Sequence, residues 1–281
     1  MSCQLEFAPS SRLLFCLNWR LICLIIVALC NQQISADAEA TVEVVLPGHA
    51  LVIGVQDYEH VPSLRFARRD AEAVSKLFTE CSPPLNKVSL MTGRANQVPT
   101  ASNIRSRLEE LAKVEHGKVL VYFSGHAACR DDEELCLVPA DGSSENQESW
   151  IALGEVFDAL SRSQARLKLV IVDAVNASTP ALQPPNGISL LMAAEPNSPA
   201  FESPRWKHGV FTHYLLQALR GAADYDHNGL VTLPEVELYT KQRVSRAAMA
   251  EFNRPQMPWL VGGTYGLPTI MSLDWAESST K

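Results

Sequence analysis

The stretch Lys118-Val-Leu-Val-Tyr-Phe-Ser-Gly-His126 is an apolar run that ends in two small residues and a histidine. A second run, Leu167-Lys-Leu-Val-Ile-Val-Asp173, ends in an acid. Short runs rich in Val, Leu and Ile are typical of strands that are buried on both faces of a parallel sheet. Functional side chains in such sheets collect beyond the carboxyl ends of the strands. The sequence therefore predicts that the loops after these two runs lie side by side at one end of a sheet.

Outside these two runs, strand-like and helix-like segments alternate along the chain. Further strands are predicted at 50–55, 87–91 and 188–192. Ala67, Ala71, Val74 and Phe78 recur at helical spacing, and Thr100 is a suitable N-cap for the next helix. This alternation predicts an α/β fold with a central, mostly parallel sheet and helices on both faces.

Composition and charge restrict the function classes. The chain has 281 residues, is 47% hydrophobic and carries 24 basic against 31 acidic residues, a formal net charge of -7. These values are typical of a folded globular protein and exclude a disordered or multi-span membrane chain. An acidic chain without a Lys/Arg cluster also makes nucleic acid an unsuitable partner.

The first 38 residues have the layout of a secretory signal peptide. Arg20 precedes the apolar run 21–30, and the segment ends in the small residues around Ala36 and Ala38. The expectation is an exported protein, periplasmic or secreted, without membrane attachment once the signal is cleaved. The alternative is an uncleaved, N-terminally anchored protein. The predicted division is signal peptide 1–38, one folded domain 39–270 that includes the loop 224–235, and C-terminal tail 271–281.

In an oxidising compartment, the cysteines of the mature chain are candidates for disulfide formation. Cys129 and Cys136 flank the acidic turn 130–134, which favours a hairpin whose arms a disulfide could tie. Two separate thiols in small core positions are the alternative interpretation.

Six stretches of the chain carry a family resemblance. They are Ala50–Tyr58, Pro62–Ala71, Tyr122–His126, Leu137–Asp141, Val170–Ala174 and His208–Gly221. Together they resemble the caspase and metacaspase group of cysteine peptidases (peptidase family C14), and within it the bacterial metacaspase-like branch rather than the animal caspases. The resemblance covers about residues 50–265. It implies the caspase-like (caspase-hemoglobinase) fold.

The resemblance also implies a set of site residues. His126 stands at the position of the catalytic histidine, but the position of the nucleophilic cysteine is occupied by Val175, which has no atom able to attack a carbonyl. The glycine that usually follows the histidine is Ala127. In metacaspase-like relatives, the acid matching Asp173 helps to form a pocket for an Arg or Lys side chain. The alternative interpretation of Asp173 is a strand-end acid that caps its own loop.

Residues 224–235 match the calcium-loop pattern of EF-hands at every defined position. Oxygen ligands, which hard cations prefer, are offered by Asp224, Asp226, Asn228, the Leu230 carbonyl, Thr232 and Glu235. The chain has no second loop of this kind to pair with. The pattern predicts a weak Ca²⁺ site that stiffens its flanking helices.

These observations favour a pseudopeptidase, that is, an exported caspase-like domain that has lost its nucleophile and acts as a calcium-stabilised binding or regulatory module. Its expected partner is a peptide or protein, bound through basic side chains. The alternative is an active cysteine-type endopeptidase with a basic P1 preference and a relocated nucleophile, for which Cys129, Ser178 and Thr179 are the candidates. A purely structural role would be supported if Asp173 is buried and capped with no open cleft beside it.

Overall fold

The computed structural model describes residues 47–81, 84–93, 97–130, 134–175, 182–196, 198–263 and 269–273. All of these belong to one compact unit, Val45–Lys281. The other unit, Met1–Val44, contains the predicted signal peptide and lies outside the described residues. Within the described ranges, no helix is both long and apolar enough to cross a membrane.

Twelve strands and five α-helices make up the described part of the chain. The strands are β1 (Gly48–Gly54), β2 (Lys87–Met91), β3 (Lys118–Cys129), β4 (Leu135–Leu137), β5 (Ile151–Ala152), β6 (Leu167–Val175), β7 (Ile188–Met192), β8 (Glu202–Ser203), β9 (His208–Gly209), β10 (Leu230–Thr232), β11 (Trp259–Gly262) and β12 (Thr269–Ser272). The helices are α1 (Ala67–Glu80), α2 (Ala101–Leu111), α3 (Leu153–Arg162), α4 (Val210–Gln217) and α5 (Leu233–Phe252). A 3₁₀ turn covers Gln147–Ser149, and a π-helical turn, Ala218–Ala222, follows α4.

The central sheet has the order β11-β7-β6-β3-β1-β2. Along this order the pairs are parallel except for β11, which runs antiparallel to β7 at one edge. Off this order, β4 pairs antiparallel with the end of β3, and β5 pairs antiparallel with β4. The two runs that end in His126 and Asp173 form β3 and β6, which are neighbours in the middle of the sheet. The predicted α/β class is therefore confirmed, and so is the mostly parallel sheet.

Two apolar cores lie on opposite faces of the sheet. Side chains of β1, β3 and β6 pack on one face against α1, α4 and α5, where Phe78, Tyr122 and Phe211 are fully buried. The alternate side chains of the same strands pack on the other face against α2 and α3. Helix α2 begins where predicted because the Thr100 side chain accepts a hydrogen bond from Asn103 N at 3.3 Å.

The predicted hairpin after His126 forms, but its cysteines are not joined to each other by a disulfide. In the antiparallel β3–β4 ladder, Cys129 is opposite Leu135 and Cys136 is opposite Ala128. Neighbouring residues of a strand point to opposite faces. Cys129 therefore lies on the face away from Cys136, and the alternative interpretation, two separate thiols, describes this structure.

The predicted boundary of the C-terminal tail is two residues too early. Met271 and Ser272 are buried within β12, which pairs antiparallel with β10. This strand also contacts the main sheet, because the buried Lys118 ammonium donates a hydrogen bond to the Ile270 carbonyl at 3.0 Å. Residues 271 and 272 therefore belong to the domain.

The crossing of α1 over β1 depends on Gly54. A Cβ atom at this position would lie 2.5 Å from the Ala67 carbonyl oxygen and 2.6 Å from Ala71 Cβ. We expect Gly54→Ala to lower the free energy of unfolding by about 1–3 kcal/mol, because helix and strand must separate. Urea denaturation measures this loss. The matched control is Gly263→Ala, where a Cβ meets no atom within 4 Å; equal effects of the two substitutions would contradict this account of the crossing.

Candidate active site and calcium loop

The parallel register of β3 and β6 brings the predicted site residues together. Ser124 is the register partner of Asp173, and His126 is the register partner of Val175. Neighbouring strands are separated by about 4.8 Å. The histidine position and the nucleophile position of the resemblance are therefore adjacent at the carboxyl ends of the two central strands.

The loop after β1 holds the His126 imidazole in place. His126 Nε2 lies 2.8 Å from the Pro62 carbonyl oxygen, and the His126 backbone N–H donates to Tyr58 Oη at 2.7 Å. The Tyr58 and His126 rings are in contact, with their centroids 4.9 Å apart. A carbonyl can only accept, so Nε2 carries a proton and Nδ1 of the neutral ring is left as the acceptor. The ring thus has the tautomer and the support that a base beside position 175 needs.

Pro62 and Tyr58 were missed as positioning residues in the sequence. The Pro62 contact is made by a backbone carbonyl, so no side chain marks it. Tyr58 is a tyrosine at the end of an apolar run, which gives no hint of a hydrogen bond to a residue 68 positions further along the chain. Burial raises the pKa of the Tyr58 hydroxyl, and it stays protonated at neutral pH.

Asp173 is buried and hydrogen-bonded. Its carboxylate is 4% exposed and accepts from Thr212 Oγ1 at 2.6 Å and from Thr212 N at 3.3 Å. Because the Thr212 hydroxyl proton goes to Asp173, the Tyr122 hydroxyl donates to Thr212 Oγ1, at 2.6 Å. Burial, together with the negative charge of Asp70, raises the pKa of Asp173 to about 7.

Asp70 is a second buried acid, on α1, and it was missed in the sequence. It is 1% exposed and accepts from His208 Nδ1 at 2.5 Å, from Gly209 N at 3.0 Å and from Ser124 Oγ at 3.4 Å. Burial raises the pKa of Asp70, and the contact with His208 opposes that shift. One feature of the sequence could have indicated this role. Asp70 lies between Ala67 and Val74 on the apolar face of α1, where burying an acid without a partner costs free energy.

The two acids share one structural task, which is to bind the first turn of α4. Gly209 is the N-cap of this helix and Thr212 lies in its first turn, and both direct backbone N–H groups at the carboxylates. Helix N-termini leave such N–H groups without intrahelical partners and attract negative charge. The geometry favours the capping interpretation of Asp173 over an open acidic pocket.

Of the candidates for a relocated nucleophile, the structure describes Cys129, and it does not bring this residue to His126. Cys129 is three residues further along β3, about 10 Å away, and its position faces the opposite side of the strand. Ala127 packs into the core formed with α2 and α3, and Cys129 contacts the same core. Ser178 and Thr179 lie outside the described residues.

The calcium-loop residues bring three carboxylates together. Asp224, Asp226 and Glu235 each offer an oxygen atom within 4.8 Å of the others. The loop turns through His227 and Gly229, whose φ angles are 58° and 80°. Oxygen atoms in such an arrangement are suitable ligands for Ca²⁺, which takes about six to eight of them.

The chain itself supplies the structure around this loop. Strand β10, which contains Leu230 and Thr232, pairs with β12, and Leu273 N donates to Gly229 O at 2.8 Å. Glu235 accepts from Thr232 N at 2.9 Å and so caps α5. Pro234 lies in the first turn of α5, where no backbone N–H is needed, so it does not disturb the helix.

Comparison with known proteins identifies the family. The model of the caspase domain family (peptidase family C14) matches residues 47–265, which is most of the chain. The chain therefore belongs to the caspase-domain family, as the sequence motifs indicated. No curated protein matches the sequence.

A solved structure shares the fold. The crystal structure of the protein GSU0716 from Geobacter sulfurreducens superimposes with a TM-score of 0.57 at 15% sequence identity, covering 81% of this chain and 100% of that one. At this identity the similarity concerns the fold alone.

The buried acids predict a pH-dependent stability. A folded-state pKa of about 7 means that Asp173 binds a proton that an exposed Asp has already lost, so unfolding releases it. We expect the free energy of unfolding to fall as pH rises through about 7, and to fall less steeply in Asp173→Asn. Urea denaturation at a series of pH values between 5 and 8 measures both slopes. Asp158→Asn, at an exposed site on α3, is the control and keeps the wild-type slope; an unchanged slope in Asp173→Asn would contradict the assignment.

Proposed function

We propose that this caspase-domain protein is a pseudopeptidase that acts as a binding or regulatory module. The observation that carries the proposal is the register pairing of His126 with Val175. Peptide cleavage by this family's chemistry needs an electron pair on the residue beside the histidine, and a valine side chain has none. The contacts that hold His126 are present, whereas position 175 lacks the thiol that the family's chemistry uses.

An active peptidase with a relocated nucleophile is the alternative, and the geometry does not favour it. A general base must be within hydrogen-bond reach of the group that it activates. Cys129 lies three residues beyond His126 on β3 and faces the opposite side of the strand. A working Cys129–His126 pair would require the backbone of β3 to leave its extended conformation between these two residues.

The proposed partner is a peptide or protein that presents a basic side chain to the acids at Asp70 and Asp173. A guanidinium or ammonium group pairs strongly with a buried carboxylate. In this structure the donors are His208, Gly209 and Thr212, so the incoming cation has to displace the first turn of α4. If no such ligand binds, the acids serve the stability of α4 alone, which is the purely structural role.

We further propose that Ca²⁺ binds to the loop 224–235. The three carboxylates of the loop and its glycine turn support this proposal.

We also propose that the protein is exported through the signal peptide 1–38. The layout of residues 1–38 supports export, with an N-terminal membrane anchor as the alternative. Fractionation of the producing cells, with detection of residues 39–281 by mass spectrometry, distinguishes a cleaved from a retained segment.

The peptidase test compares the wild type with Val175→Cys. We expect no cleavage of fluorogenic peptides ending in Arg or Lys by the wild type, since loss of a nucleophile costs about 10⁵–10⁶-fold in rate. Val175→Cys places a thiol at the register partner of His126. We expect an arginyl chloromethyl ketone to alkylate this cysteine faster than it does in the double variant with His126→Ala, as measured by mass spectrometry. Wild-type turnover that disappears in His126→Ala would contradict the pseudopeptidase proposal.

The calcium test measures thermal stability. Ligand binding to the folded state raises the melting temperature, and at about 100 times the dissociation constant the gain is about 2.7 kcal/mol. For a domain of this size we expect a rise of roughly 5–10 °C in 10 mM CaCl₂. Asp226→Asn is the informative variant because, among the described residues, its carboxylate accepts hydrogen bonds from Asn228 alone. We expect this variant to lose most of the rise. An equal rise with and without the Asp226 carboxylate would refute the site.

A further inference from the structure

One edge of the central sheet is lined by a basic groove that the proposed pseudopeptidase function does not use. Strand β2 is the last strand of the sheet in the part of the chain that the structure describes. Two cavities of about 300 and 310 Å³ lie along it, between β2 and α2. They share Lys87, Ser89 and Arg107, so they form one continuous depression, which we call the edge groove.

Positive charge predominates in the edge groove. Lys87, Arg107 and Lys113 line it, with Glu110 as its one acid. Glu110 accepts from Lys87 Nζ at 2.7 Å and from Arg107 at 2.6 Å, and these contacts lower the pKa of Glu110. Two cations thus share one carboxylate and Lys113 adds a third positive charge, on a chain whose net charge is -7.

The floor of the groove is a strand edge. Lys87 and Ser89 line both cavities of the groove. Val88 and Leu90 pack against the core with α1 and also line the second cavity. An edge strand presents backbone N–H and C=O groups that pair readily with another extended chain. A strand added there would place every second side chain over the groove, with about 6.6 Å between them.

We propose that the edge groove binds an acidic, extended segment of a partner protein, which adds to β2 as a further strand. Carboxylates two residues apart on that segment pair with Lys87, Arg107 and Lys113 and take the place of Glu110 at two of them. The backbone of the segment supplies affinity through strand pairing, and the groove supplies the preference for acids. This site is separate from the acids at Asp70 and Asp173, which attract the opposite charge.

The test uses the purified chain and a fluorescein-labelled peptide in which Glu alternates with Val or Thr. Two control peptides accompany it, one with Lys in place of Glu and one with alternate backbone nitrogens methylated, which removes the strand hydrogen bonds. Anisotropy titration is expected to show saturable binding of the first peptide, with at least tenfold weaker binding of both controls. The double variant Arg107→Gln, Lys113→Gln removes two groove cations, and we expect it to weaken binding by roughly tenfold, at a few-fold for each exposed ion pair.

The double variant Arg243→Gln, Arg246→Gln is the matched control, since both residues are exposed cations of α5 outside the groove and it removes the same number of charges. It is expected to bind the acidic peptide as the wild type does. Equal losses in this control and in the groove variant would overturn the proposal, because binding would then follow net charge. Equal binding of the methylated peptide would overturn strand addition. The peptidase and calcium measurements do not involve this groove, so its failure leaves the proposed function untouched.

Discussion

The parallel register between β3 and β6 is the constraint on which the other features of this molecule depend. It pairs Ser124 with Asp173 and His126 with Val175. A slip of one residue would turn every side chain of a strand to the other face of the sheet. The apolar side chains of β3 and β6 pack on two helical layers, so such a slip would expose both cores at once. The cores therefore fix the site at the carboxyl ends of these strands, with or without a nucleophile.

This arrangement explains how the active-site architecture can persist without a thiol. The orientation of His126 depends on the Pro62 carbonyl and on Tyr58, neither of which involves position 175. Asp70 and Asp173 bind the first turn of α4, and α4 contributes Phe211 to the core. Removing either acid would leave buried N–H groups without partners, which is costly. Stability alone is thus a sufficient reason for these residues to be present, whether or not the chain cleaves peptides.

The loop 224–235 and the edges of the sheet both contact distant parts of the chain. The sequence offers no second loop of the same pattern, but within this loop β10 pairs with β12, a strand contact that the sequence did not predict. The two edges of the central sheet differ in character. Strand β11 runs antiparallel at one edge, whereas β2 at the other edge lies beside Lys87, Arg107 and Lys113. The chain is acidic as a whole, but this edge of the sheet is locally basic.

The sequence by itself determined the α/β class, the central strands, the caspase-domain family and the position of His126, because these follow from local apolar patterns and short motifs. It also identified the oxygen-rich loop at 224–235. Only the tertiary structure decided the partners of Asp173 and the burial of Asp70, since Thr212 and His208 reach these acids from residues 39 and 138 positions away. The tertiary structure also decided that Cys129 and Cys136 lie on opposite faces and that Met271 belongs to β12. The physical reason is that strand register and helix docking are set by packing between distant segments, which no local pattern encodes.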